Sequence, residues 1–124
     1  MQESIPPQIE DGTLSIRVLG EDSGRTLVLA GELDLANAET LSALLEQTTE
    51  GELLLDMTEL EFIDSTGIAL LVAAHRRLNC DGAVRFRLIG SSNSAVQRVM
   101  TLTGLDAELP FSGDGHLQPD PGAA

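Results

Sequence analysis

The chain has 124 residues, a formal net charge of −13 and 42% hydrophobic residues, which is enough for one core and too short for two. All seven positive residues are Arg, set against 20 acids, so polyanions such as nucleic acid and anionic membrane surfaces are poor partners. Three Phe with neither Trp nor Tyr imply an aliphatic core and exclude a stacking platform for single-stranded nucleic acid.

Residues 1–12, with Pro6, Pro7 and several acids, are expected to form a flexible N-terminal tail. Leu14, Ile16 and Val18 then recur at period two, and after a turn at Asp22, Ser23 and Gly24 the run Thr26 to Leu29 reads as a second strand of a hairpin. Between Asn37 and Thr48, Ala38, Leu41, Leu44 and Leu45 fall at helical spacing, and Gly51 closes the segment. Leu53, Leu54 and Leu55 form a short apolar run of the kind expected in a central strand buried on both faces. Strand, helix and strand together predict a parallel βαβ unit.

A second helix opens at Asp64-Ser65-Thr66-Gly67 and carries Ile68, Leu71, Val72, His75 and Leu78 on one stripe, with Asp81 and Gly82 as its exit. Val84, Phe86 and Leu88 alternate with Arg85 and Arg87, which predicts a strand with one cationic face. Ser92 or Asn93 caps a third helix with the stripe Val96, Val99 and Met100, ended by Gly104. Leu109, Pro110 and Phe111 suit a last edge strand, and residues 113–124 are expected to be a flexible acidic Gly/Pro tail. The domain is thus expected to span residues 13–112, with an α/β sheet and amphipathic helices. Residues 51–100 hold five Arg and six acids, so this half is nearly neutral and open to approach by a protein partner.

The stretch from Asp56 to Gly67 is the most informative, because ligands and partners of open α/β sheets dock outside the carboxyl ends of the strands. Asp64 or Ser65 caps the second helix, leaving the other group exposed beside free N–H groups and the positive end of the helix dipole. One reading of Asp64, Ser65 and Thr66 is a helix cap and nothing more. The other is a phosphate acceptor, since a phosphoryl group brings about −1.5 to −2 charges that a helix N-terminus tolerates.

Catalytic readings fare worse on spacing. Ser65 and His75 are ten positions apart on one helix, about 15 Å of rise, and His116 falls in the tail, so no Ser-His-Asp triad forms. Ile63 stands where a Gly-x-Ser-x-Gly elbow needs its first Gly, and a chain without Lys has no phosphate-binding loop for a nucleotide. Asp34, Asp56 and Asp64 would meet at one sheet edge in a paired-carboxylate catalyst, but acids at strand ends and helix caps are ordinarily no more than that. His75, on an apolar stripe, reads as a partly buried histidine with one hydrogen bond, and Arg76 and Arg77 as a solvated face. Cys80 reads as an inert buried or half-buried thiol, unable to form an internal disulfide, and His75, Cys80 and His116 do not make a zinc site. With no signal-like start and no run of about 18 apolar residues, a cytoplasmic protein without membrane insertion is expected.

The chain resembles the sulfate-transporter and anti-sigma-factor-antagonist (STAS) domain, especially the bacterial anti-sigma factor antagonists. The resemblance covers about residues 13–112. It rests on Gly31-Glu32-Leu33-Asp34 before a helix, on Leu53-Leu54-Leu55-Asp56-Met57 through Phe62-Ile63-Asp64-Ser65-Thr66-Gly67-Ile68, and on Thr103-Gly104-Leu105. It implies the STAS fold, a central mixed sheet of four to five strands with amphipathic helices, and a non-enzymatic, partner-switching role in transcription regulation.

In that role the unphosphorylated protein binds an anti-sigma factor serine kinase, freeing a sigma factor. Phosphorylation at Ser65 switches it off, and a PP2C-type phosphatase resets it. ATP and magnesium belong to the kinase, and this chain needs no cofactor or metal. The same match implies a partner-binding face of Asp34, Asp64, Ser65, Thr66, Gly67, Ser92 and Asn93, with Asp34 and Asp64 presenting the serine and Gly67 allowing close backbone approach. The competing expectation is a non-switching STAS adaptor subunit of a lipid ABC transporter or a signalling scaffold, in which Ser65 or Thr66 is a fixed contact.

Overall fold

Alternating aliphatic residues on consecutive strands build the core. The computed structural model describes residues 7–112 apart from residues 22 and 81. Its elements run β1 (Gln8–Asp11), β2 (Leu14–Glu21), β3 (Gly24–Leu33), α1 (Ala38–Glu46), β4 (Gly51–Ile63), α2 (Ser65–Asn79), β5 (Val84–Ile89), α3 (Ser94–Leu102) and α4 (Leu105–Glu108). The five strands lie in one sheet in chain order, antiparallel from β1 through β3 and parallel from β3 through β5. This is the mixed α/β sheet that the patterning predicts.

Because both parallel crossovers step in the same direction across the sheet, right-handed connections put α1 and α2 on one face. Ile16 pairs with Leu29, Leu27 with Leu55 and Leu55 with Leu88, and all of these side chains belong to one buried cluster with Leu41, Leu45, Leu71 and Leu78 from the helices. The opposite face carries Arg17, Thr26, Leu54, Arg85 and Arg87, none of them buried. The expectation that Leu53–Leu55 is covered on both sides is therefore corrected: Leu53 and Leu55 are buried, and Leu54 on the other face is only half-buried. With helices on one side only, period-two alternation decides which leucine meets water.

Three other boundaries differ from the sequence reading. Gln8–Asp11, placed in the N-terminal tail, pairs as an edge strand with β2, and Asp11 Oδ2 accepts a 2.6 Å hydrogen bond from Thr40 Oγ1 of α1. Non-local pairing overrides the weak local signal of Gln-Ile-Glu-Asp. Strand β4 continues to Ile63, well beyond the short apolar run Leu53–Leu55, because β3 pairs with it along that length. It carries two extra residues relative to β3, at the register shifts between Val28 and Ala30 and between Gly31 and Glu32.

Residues 109–111 form only an isolated bridge, Leu88 to Phe111, after the unforeseen single turn of α4. Gly104, expected just past α3, has the left-handed φ of +77°. The expected tail at 113–124, with His116, and the turn residues Asp22 and Asp81 lie outside the described residues. Among the described residues no helix is long and apolar enough to cross a membrane.

Candidate functional site

At the carboxyl ends of β3 and β4 the chain turns into α1 and α2, and two side chains organise both turns. Asn37, buried, accepts the Asp34 N–H at 2.9 Å through Oδ1 and donates through Nδ2 to the Glu32 carbonyl at 3.0 Å. Asp64 is the N-cap of α2: Oδ1 accepts the Gly67 N–H at 2.9 Å, and Oδ2 accepts the Leu35 N–H at 3.1 Å. The capping alternatives resolve to Asp64 here and to Asn93 at α3, whose Oδ1 takes the Ala95 and Val96 N–H groups at 2.8 and 3.2 Å. Asp34 closes its own loop, accepting the Ala36 N–H at 3.1 Å. Both aspartates are thus engaged with backbone N–H groups, Asp64 across both turns and Asp34 within the β3–α1 loop.

Ser65 is the first residue of α2 and exposed, beside the half-buried Asp64 and Thr66. Gly67 is buried, and a Cβ there would lie 2.8 Å from Ile63 Cγ1 and 3.1 Å from the Leu33 carbonyl oxygen. Its missing side chain lets α2 sit down on the ends of β3 and β4. The close approach anticipated for a partner is therefore taken up by the protein's own packing. Gly31, in the Gly-Glu-Leu-Asp stretch, has φ +95° at a register shift, and a Cβ there would strike the Thr13 carbonyl oxygen.

Ser92 and Asn93 stand at the same end of the sheet, one strand further along. The Ser92 hydroxyl donates to the Thr58 carbonyl at 2.8 Å, and Ser91 Oγ donates to that of Leu60 at 2.6 Å, tying the α3 entry to the bulged part of β4. Ser92 and Asn93 line a shallow hollow with Thr58, Glu59 and Glu61, whereas Thr66 lines a separate groove between α1 and α2 with Ala69, Leu70 and Ala73. The structure gathers Asp34, Asp64, Ser65 and Thr66 at one corner and sets Ser92 and Asn93 beside another hollow.

The remaining polar candidates are dispersed. Asp56 lies inside β4 and accepts the Thr58 N–H at 2.9 Å, and the described residues contain no cluster of three metal-ligating side chains. His75 is half-buried, as expected, and its Nδ1 is buried without a hydrogen-bond partner among the described residues. Cys80 is exposed, not buried, because it lies past Leu78, the last core residue of α2. Arg77 donates to the Leu45 carbonyl at 3.0 Å, a cation at the last turn of α1. Sequence reasoning missed Asn37 and Leu35, whose roles depend on contacts across the two turns.

The STAS domain family matches residues 15–120 of the chain. The chain belongs to the STAS domain family. No curated protein matches its sequence. Among solved structures, an anti-sigma factor antagonist from Mycobacterium paratuberculosis is 24% identical with a TM-score of 0.68, over 88% of this chain and 89% of that one. The unphosphorylated anti-sigma factor antagonist SpoIIAA is 21% identical with a TM-score of 0.54, over 70% and 82% of the two chains. The phosphorylated form of the Bacillus cell fate determinant SpoIIAA is 19% identical with a TM-score of 0.57, over 78% and 90%. At these identities the likeness establishes a shared fold, and the STAS corner at Ser65 lies within the matched residues.

Proposed function

We propose that this STAS protein is a bacterial, cytoplasmic anti-sigma factor antagonist switched by phosphorylation at Ser65. The observation that carries the reading is an exposed hydroxyl on the first residue of a 15-residue helix, at the carboxyl end of two parallel strands. A phosphate there stays in water and meets the N-terminal end of the helix dipole, so the fold is kept while the surface changes. A SpoIIAA structure of the same fold is of a phosphorylated form, which supports the class of modification.

In this reading the unphosphorylated protein binds a serine kinase of the histidine-kinase-like ATPase type, and its bound sigma factor is freed. The kinase transfers the γ-phosphoryl group of its ATP to Ser65 Oγ, releasing ADP and the hydroxyl proton. The new charge then faces the nucleotide phosphates in the kinase, and like-charge repulsion ejects the antagonist. A PP2C-type phosphatase hydrolyses the phosphoserine and restores binding. This chain performs no chemistry itself. Asp64 holds the turn that presents the serine, Asp34 closes the facing β3–α1 loop, Thr66 and Gly67 set the first turn of α2, and Ser92 and Asn93 form an outer rim.

Affinity capture with wild type, Ser65→Ala and Ser65→Asp as baits tests the reading. A histidine-kinase-like ATPase retained by the first two and lost by the third is expected. Transporter subunits retained by all three would instead make Ser65 a cap and the protein an adaptor.

A further inference from the structure

Four large hydrophobic side chains are exposed among the described residues, and two of them flank Ser65. Leu35 is 75% exposed on the β3–α1 loop, and its N–H is held by the Asp64 side chain, next to Ser65 in the chain. Phe62, 47% exposed, lies three residues before Ser65; its register partner is Glu32, whereas the following pair, Leu33 with Ile63, is buried. The β3–α1 loop and the end of β4, both next to the serine, thus each carry one exposed apolar side chain. Phe86, by contrast, is buried.

The charge around this pair is predominantly negative. Residues 30–39 and 57–69 contain Glu32, Asp34, Glu39, Glu59, Glu61 and Asp64 and no Arg or Lys. Arg17 reaches this rim from β2, 3.8 Å from Glu59. A second copy of the chain would bring the same carboxylates and be repelled, as would an anionic membrane. An apolar patch ringed by acids is complementary to an apolar hollow ringed by bases.

We propose that Leu35 and Phe62 are the apolar anchors of the docking face around Ser65, received by a hollow on the kinase edged with arginine and lysine. This rests on the proposed function above. The acids steer encounter, and the two side chains, desolvated at the centre, set the lifetime of the complex. A phosphate on Ser65 brings its hydration shell between the anchors, so added negative charge weakens docking despite the basic rim.

The test uses the full chain and the purified kinase retained by wild-type bait, with on- and off-rates measured between about 50 and about 300 mM NaCl. Leu35→Ser and Phe62→Ser are each expected to weaken binding about tenfold, mainly through the off-rate. Leu35→Met stays within about twofold of wild type. Leu102→Ser, equally exposed but at the far end of α3, leaves binding unchanged. The wild-type on-rate falls several-fold with salt.

Wild-type affinity in both serine variants overturns the proposal, as does an on-rate indifferent to salt. If wild type and Ser65→Ala bind, Ser65→Asp does not, and both serine variants bind as wild type, the anchors fall while the phosphorylation switch stands. If wild type captures no kinase, both fall together.

Discussion

Replacing Asp64 by Ala probes the turn on which the site is built. The substitution removes an N-cap, worth about 1 kcal/mol, together with a favourable charge at a helix N-terminus, worth about 0.5 kcal/mol. It also frees the Leu35 N–H, whose 3.1 Å bond water replaces at a cost of about 0.5 kcal/mol because that backbone is exposed. The expected loss is about 2 kcal/mol, or about 8 °C in Tm for a domain of this size. Asp64→Asn keeps an acceptor but not the charge, and is expected to cost about 0.5–1 kcal/mol, less at high salt. Urea unfolding followed by circular dichroism gives both numbers if the m-value is unchanged. Faster hydrogen exchange at Leu35 accompanies the loss. An Asp64→Ala protein within about 0.5 kcal/mol of wild type, with Leu35 exchange unchanged, would refute the assignment of Asp64 as the residue that joins the two turns.

Asn37→Ala leaves the Asp34 N–H and the Glu32 carbonyl without their buried partner, and urea unfolding should show a loss of about 2–3 kcal/mol. At Gly67, Ala gains about 1 kcal/mol of helix propensity but places a Cβ 3.1 Å from the Leu33 backbone oxygen, where relief requires β3 to move. Overpacking of this kind costs about 1–3 kcal/mol, so a net loss in urea unfolding is expected. A Gly67→Ala protein more stable than wild type would show that α2 is free to lift. The exposed Cys80 thiol should react with a disulfide reagent in the folded protein without denaturant; a thiol that reacts only after unfolding contradicts its placement.

The parallel half of the fold was legible because its signals are local. Helical spacing at Ala38, Leu41, Leu44 and Leu45, and alternation at Val84, Phe86 and Leu88, each report burial on one face, and all seven are buried. The second half of β4 was not legible. Glu59 and Glu61 have weak strand preference, and the conformation of this stretch comes from pairing with β3 and from the Asp56 bond to the Thr58 N–H. Strand β1 was hidden in the same way, held by β2 and by Thr40 from distant parts of the chain.

At the candidate site the position of Ser65 was readable, since a cap followed by an apolar stripe marks a helix start. What surrounds it was only half readable. That Asp64 reaches across to Leu35, that Asn37 braces the neighbouring turn, and that Gly67 is filled from below by Ile63 and Leu33 are facts of the assembled strand ends. No spacing along the chain encodes them.

The most direct test of the switch is phosphotransfer itself: the protein is incubated with the captured kinase, ATP and magnesium, and the modified residue is mapped by mass spectrometry. The account predicts one phosphate, on Ser65, none on Ser65→Ala, and loss of kinase binding in step with its addition. A phosphate on Thr66 instead, or an unmodified protein that remains bound to the kinase throughout, would contradict it.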